Sequence, residues 1–564
     1  MAAQNAPPLA TKGRSLLITL VQQASVLERW LRWLALAALM VTILLLCVWR
    51  PLYLYFVFPP RLLDPAFLPP RLLASNRFYL PLYPSDFGAL ATTLLWLLSW
   101  TAGRLTGSAG RAAPSLTPAG KLLALQAFTL SILAPLAGLA GLAALSATQA
   151  VAPMLSLKIA LHLVILLGFV LALRNLRPPV WVVVAPLALL LAAQGVLALI
   201  QGQAQSTLIG KLLFRWDVEA TANQIGASVI QLADGSRWLR AYGTFPHPNI
   251  LGGVLCLALP VVAGAALRLP RRSRVGWLLW GAVALGLVAL LLCFSRGAWL
   301  GVLGAVIWFW LVRRRSAKAL SAHTWRLKSR LRAFGHQTRL RGFPIPSWAA
   351  NHSWGRMAVL ALLVLALVGL AAGLGPMLQS RLLLNSVPLE QRSVDERVVL
   401  LEASAVFLSQ HPLLGVGAGN MPLVELSYPP TSGIAQPVHN VPLAVAVETG
   451  LAGLVFWLIP PVSLLWGVWR RKEVAKGWAL IGSAALVAVL LSAQLDHYFW
   501  SQAIGRLMYW FTIGLCAAFA LPGKSWRGEG DLTAGSGHAT VETSLHLSRK
   551  GEVTEHVSSG SPVA

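Results

Sequence analysis

Arginine, histidine and asparagine gather in four short clusters of an otherwise apolar chain, and together they could work on a phosphate-activated substrate. The clusters run from Arg240 through His247 to Asn249, over Ser295-Arg296-Gly297, from His411 to Asn420, and from His439-Asn440 through Glu448 to Gly450 and Gly453. A guanidinium stays charged, and its planar fork meets phosphate oxygens in pairs. His439 stands where a polar approach meets an apolar run, so it can take a proton without being stranded in lipid. Arg296 lies directly between two apolar runs; a charge there requires a partner or an anionic ligand. No P-loop is present, and the outer loops show no His and carboxylate spacing suited to a metal. Chemistry without nucleotide or metal needs a substrate activated beforehand, and a lipid diphosphate meets that need.

The same residues carry plainer readings. Arg240 serves equally well as a snorkelling interfacial residue, and Arg392 and Arg397 as a solvated face with Asp395 and Glu396. His247 reads as a local hydrogen-bonding residue and His411 as a helix end before Pro412. Glu448 falls about two turns below Val441 and needs a partner there. Asp496, His497 and Tyr498 either line the same cavity or anchor the interface.

The elements that must position these groups are membrane helices. In 564 residues, 56% are hydrophobic, 12% are charged, and the mean hydropathy is +0.67, which excludes a chain folded around one aqueous core. The expected fold is an all-α polytopic membrane protein with about twelve transmembrane helices and a helical extracytoplasmic loop. Spans are expected at 33–49, 86–103, 122–145, 158–174, 179–200, 249–267, 275–294, 298–312, 357–375, 441–466, 477–495 and 500–521. The formal charge of +27 sits mostly in alternate short loops, so topology explains it without nucleic acid. Alternation places all four clusters on the outer side. The organisation expected is a cytoplasmic arm over 1–32, helices and an outer loop over 33–248, and a core over 249–521. That core contains a basic cytoplasmic loop at 313–356 and an outer loop at 376–440, and a disordered cytoplasmic tail is expected at 522–564. An amphipathic helix from about Ser393 to Gln410 is expected to lie on the outer surface.

These clusters resemble the O-antigen ligase and polymerase superfamily of bacterial membrane glycosyltransferases. The resemblance rests on Arg240 to Asn249, on Ser295-Arg296-Gly297, on Pro412 to Gly417, and on His439-Asn440 followed after nine residues by Gly450 and then Gly453. It implies a metal-independent enzyme, without cofactor, that moves a glycan from undecaprenyl diphosphate to a hydroxyl of lipid A core or another envelope glycan. The expected partners are that donor, a glycan or glycolipid acceptor and membrane lipids, with the site on the outer face of the inner membrane. By analogy Arg240 and a later arginine, Arg296 or Arg397, bind the diphosphate, while His439 takes the acceptor proton and Asn440 positions it; the expected catalytic set is His439, Arg240 and Arg296, with Arg397, Arg392, Asn249, Asn420, Asn440 and Glu448 as the candidate substrate-binding residues. A polymerase differs only in its acceptor. A small-anion transporter would also have a dozen spans and buried arginines, but with motifs on both faces.

Overall fold

The computed structural model describes residues 9–46, 48, 52–57, 77–105, 125–207, 221–224, 226–270, 272–333, 372–382, 388–429, 436–470 and 477–520. The architecture is the expected helical one, with two short antiparallel hairpins that hydropathy did not disclose. Helix α1 (Leu9–Leu45) takes in much of the segment expected as an arm. Strands β1 (Leu52–Val57) and β2 (Arg77–Leu82) pair before α2 (Pro84–Leu105). Next come α3 (Leu125–Thr148), α4 (Pro153–Leu176) and α5 (Val180–Ala204). In α3 the turn Thr129–Leu133 is π-helical just before Pro135, whose missing N–H disturbs the regular ladder.

The second hairpin, β3 (Val229–Gln231) with β4 (Arg237–Leu239), leads into Arg240. Helices α6 (Pro248–Arg268), α7 (Arg274–Leu292) and α8 (Arg296–Ala333) follow. After α9 (Gly375–Leu382) come α10 (Pro388–Gln410) and α11 (Met421–Leu426). The chain then forms α12 (Val441–Arg470), α13 (Trp478–Ser492), α14 (Tyr498–Ser501) and α15 (Ala503–Ala520). Among the described residues, seven helices are long and apolar enough to cross a membrane: α3 to α7, the Arg296–Arg315 part of α8, and α12. Helices α13 and α15 are apolar but shorter. The expected span at 357–375 lies almost wholly outside the described residues, as do the tail and most of the loop 313–356.

Of the seven spans α6 is the most enclosed, with Leu251, Val254, Leu255, Cys256, Leu257 and Ala258 fully buried. Its glycines admit neighbours closely: a Cβ on Gly253 would stand 2.4 Å from the Tyr498 hydroxyl. Farther from the clusters, the Asp86 carboxylate meets His162 at 3.1 Å, and Arg506 Nε donates to the other nitrogen of that ring at 3.1 Å. This buried triad ties α2, α4 and α15 together and gives each polar group a partner.

The bundle has two chemically different ends. Helices α6, α8 and α12 begin beside Asn249, Arg296 and His439, and α13 ends just before Asp496. Seven guanidinium–ring pairs among the described residues lie at the opposite helix ends: Arg104 over Trp100, Arg174 over Phe128, Arg268 over Trp478, Arg313 over Phe309, Arg314 over Trp310, Arg315 over Trp469 and Arg470 over Trp466.

Candidate active site

The turn between α7 and α8 is the floor of the site. Phe294 adopts a left-handed conformation with φ 47°, and the last carbonyls of α7, which no helical N–H can reach, turn toward cations. Arg240 Nε donates to the Cys293 carbonyl at 2.9 Å, and Arg381 Nε donates to the Phe294 carbonyl at 3.2 Å. Arg240 is 3% exposed, and its remaining nitrogens donate to Ser228 Oγ at 2.8 Å and to Asn249 Oδ1 at 2.5 Å. Burial, with Arg381 nearby, lowers its pKa to about 9. It therefore stays charged at neutral pH, with every guanidinium nitrogen engaged by protein.

Asn249 is fixed by its place in the first turn of α6, where the His247 ring accepts its backbone N–H at 3.1 Å and caps the helix. Its amide has only one useful orientation. The oxygen accepts from Arg240, and the nitrogen donates to Asp496 Oδ2 at 2.5 Å. Burial would raise Asp496, but His497, His439 and His247 together with the His497 N–H hold it below the ordinary carboxylate value.

Helix α10 brings in a second group. Glu390, 1% exposed, pairs with Arg381 and stands 3.3 Å from Arg296 Nη2. Arg296 Nη1 also donates to the Arg381 carbonyl at 3.1 Å. Arg397 follows Glu390 by seven residues, two helical turns on, and so shares its inward face. It is half-buried and close enough to Asp496, Arg381 and Glu390 for their charges to act on it. Arg392 points elsewhere: its side chain is 78% exposed and pairs with Glu396 one turn away.

His439 approaches from the fourth direction. Asn440 caps α12 by accepting the Leu443 N–H at 2.9 Å, and its amide donates to the Gln494 carbonyl at 3.2 Å. The His439 ring meets His497 edge to face, with centroids 5.0 Å apart, and its buried Nδ1 has no hydrogen-bond partner among the described residues. Burial lowers its pKa to about 4 against the pull of Asp496. At neutral pH it is an uncharged base beside a carboxylate.

The spacing from His439 to Gly450 has a backbone cause. Gly450 has φ 77° inside α12 and breaks the helix. The Leu451 N–H leaves its helical partner for the Pro412 carbonyl at 2.9 Å, and the freed Val447 carbonyl accepts the Val416 N–H at 2.8 Å. The loop 411–420 is thus spliced into the helix, and a Cβ on Gly450 would fall 1.9 Å from the Leu413 carbonyl oxygen. Glu448 closes the splice, accepting from the Gly419 N–H and the Trp500 indole, each at 2.6 Å. Asn420, fully buried, accepts the Ala152 N–H at 2.6 Å and donates to Ser156 and Ala418, each at 3.1 Å. Both were expected to bind substrate, and here both hold the splice.

Residues 281–458 match the sequence model of a family described as O-antigen ligase. Over that central third the chain is similar to the O-antigen ligases. No curated protein sequence gave a significant match. The ligase match covers Arg296, Arg381, Glu390, Arg397, the spliced loop and His439, and it leaves Arg240, Asn249 and Asp496 outside. Sequence reading of this chain passed over Arg381 and Glu390; the only signal was an Arg and a Glu nine residues apart in a loop otherwise read for its net charge. It also saw no metal set, yet His439, Asp496 and His497 each offer a ligand atom within 4.8 Å of the others. Those groups face Arg397, and four arginines against two carboxylates make this pocket better suited to an anion than to a cation.

Proposed function

We propose that this ligase-type enzyme transfers a glycan from undecaprenyl diphosphate to an acceptor hydroxyl, at the membrane face away from the guanidinium–ring belt. The observation that carries the reading is the excess of buried and half-buried guanidinium over carboxylate, with Arg240, Arg296, Arg381 and Arg397 facing Glu390 and Asp496 beside a neutral His439. In a low-dielectric site that surplus attracts an anion of two or more charges, as a diphosphate is. Arg397 and Arg296 are the half-buried members and grip the diphosphate; Arg240 and Arg381, enclosed by protein acceptors, hold the frame. The acceptor hydroxyl gives its proton to His439 while its oxygen bonds to the anomeric carbon. The carbon–oxygen bond to the diphosphate breaks, and the leaving charge settles on Arg397 and Arg296. Asp496 steadies the imidazolium, and Asn249 and Arg240 fix Asp496.

Belts of arginine mark cytoplasmic ends, so the site faces the periplasm or cell exterior, and the membrane is the bacterial inner one. The test is donor occupancy. A photoreactive undecaprenyl diphosphate glycan should label the purified wild-type protein, be displaced by methylene diphosphonate, and lose most labelling in Arg397→Gln. Labelling indifferent to both the competitor and the substitution would defeat the assignment.

A further inference from the structure

The other end of the bundle is also built to hold phosphate. We propose that the collar where α8 and α12 leave the bundle, Arg313, Arg314, Arg315 and Arg470, binds headgroups of anionic phospholipids, two-phosphate lipids above all. The four side chains are exposed, and among the described residues no carboxylate pairs with them. In sequence no acidic residue occurs between Arg296 and Glu390.

Each guanidinium lies over a ring, at 5.5 Å for Arg313 on Phe309, 4.9 Å for Arg314 on Trp310, 4.5 Å for Arg315 on Trp469 and 5.1 Å for Arg470 on Trp466. Stacking occupies one face of a guanidinium and leaves its N–H edge for phosphate oxygens. The rings decide the source of that phosphate. Trp310 is 53% and Trp466 58% exposed on the flanks of spanning helices, where tryptophan settles at headgroup level. A soluble polyanion reaching these arginines would leave that apolar surface uncovered, whereas a lipid covers both.

A ring contact also joins the two helices there. Trp308 of α8 packs on Trp469 of α12 with centroids 5.7 Å apart, and its indole donates to Ser483 of α13 at 2.9 Å. Arg315 lies over Trp469, the residue just before Arg470, so the two guanidiniums stand on adjoining helices, an arrangement that suits two linked phosphodiesters. Basic pockets between helices on this side of a membrane favour such lipids.

The experiment is native mass spectrometry of the full-length protein with dioleoyl phosphatidylcholine, dioleoyl phosphatidylglycerol or cardiolipin at equal concentration. Retention should rise in that order. Each arginine removed should weaken cardiolipin about fivefold, so R313Q/R314Q/R315Q/R470Q should lose more than about a hundredfold. Equal retention of phosphatidylcholine, or unchanged cardiolipin binding by the quadruple variant, would overturn the proposal. So would displacement of cardiolipin by inorganic phosphate or by an oligonucleotide at matched ionic strength. A second measurement needs no variant: brominated phosphatidylglycerol should quench the wild-type tryptophan emission more strongly than brominated phosphatidylcholine, and equal quenching would count against the site.

Discussion

Replacing Asn249 by leucine removes one side-chain amide and two hydrogen bonds to charged groups. Arg240 loses an acceptor at 2.5 Å, and Asp496 loses a donor at 2.5 Å, leaving its Oδ1 bond from the His497 N–H. Hydrogen bonds to charged groups contribute about 1.5–3 kcal/mol each, so the two together represent about 3–6 kcal/mol. Part of this lowers stability. The remainder falls on the reaction, because an Asp496 carboxylate free to turn no longer stabilises the imidazolium of His439. The expected result is a kcat lower by about 10²-fold or more, since each 1.4 kcal/mol is about tenfold in rate, with the donor KM within about threefold of wild type. Asn249→Asp separates this from simple loss of packing. A second carboxylate facing Asp496 favours one shared proton, and the introduced carboxyl, when protonated, can accept from Arg240 and donate to Asp496 as the amide does. The rate of this variant should rise as pH falls from about 8 to 6, where wild type is flat. Carrier diphosphate release in nanodiscs, with donor concentration varied, measures all three proteins. A raised KM with unchanged kcat in Asn249→Leu would place Asn249 on the substrate and refute the reasoning.

Other outcomes follow from the same geometry. Arg397→Lys keeps the charge and loses the fork, so kcat/KM for the donor should fall by about 10²-fold; wild-type kinetics would remove Arg397 from the diphosphate. Gly450→Ala forces a Cβ onto the Leu413 carbonyl and strains φ 77°, which should lower the melting temperature by several degrees. Gly467→Ala, with nothing within 4 Å of the new carbon, should be neutral or slightly stabilising, and equal melting of the two variants would deny the splice. His439 has its pKa lowered to about 4 by burial, so protonation removes the base only in acid. The rate should stay level down to about pH 5 and fall through about 4, and a midpoint near 6.5 would mean that the working histidine is exposed.

The sequence was most informative where hydropathy and charge alternation act over long stretches. The helical membrane fold and seven of the twelve expected spans follow from that alone, and Arg296, His247 to Asn249 and His439 do lie at one end of the bundle. Contacts between distant segments were not legible. His439 and Asp496 are separated by the whole of α12 and α13 and meet only because those helices return to the same end. Arg392 and Arg397 look alike in sequence; helical phase turns the first to solvent and the second inward with Glu390. Glu448 and Asn420 have the composition of ligand groups, yet the Gly419 N–H of the spliced loop claims Glu448 and the Ala152 N–H ahead of α4 claims Asn420, and a one-dimensional pattern carries no trace of a loop entering a helix.

The central claim is group transfer from a lipid diphosphate with His439 as the base. The most direct measurement is turnover by the purified full-length protein, with EDTA present, given an undecaprenyl diphosphate glycan and a panel of glycolipid acceptors, comparing wild type with His439→Ala. The account predicts one carrier diphosphate released per glycosylated acceptor by wild type and a rate lower by about 10²–10⁴-fold in the variant. Equal turnover by both proteins, or a wild type that binds the donor and leaves it intact across the panel, would contradict it.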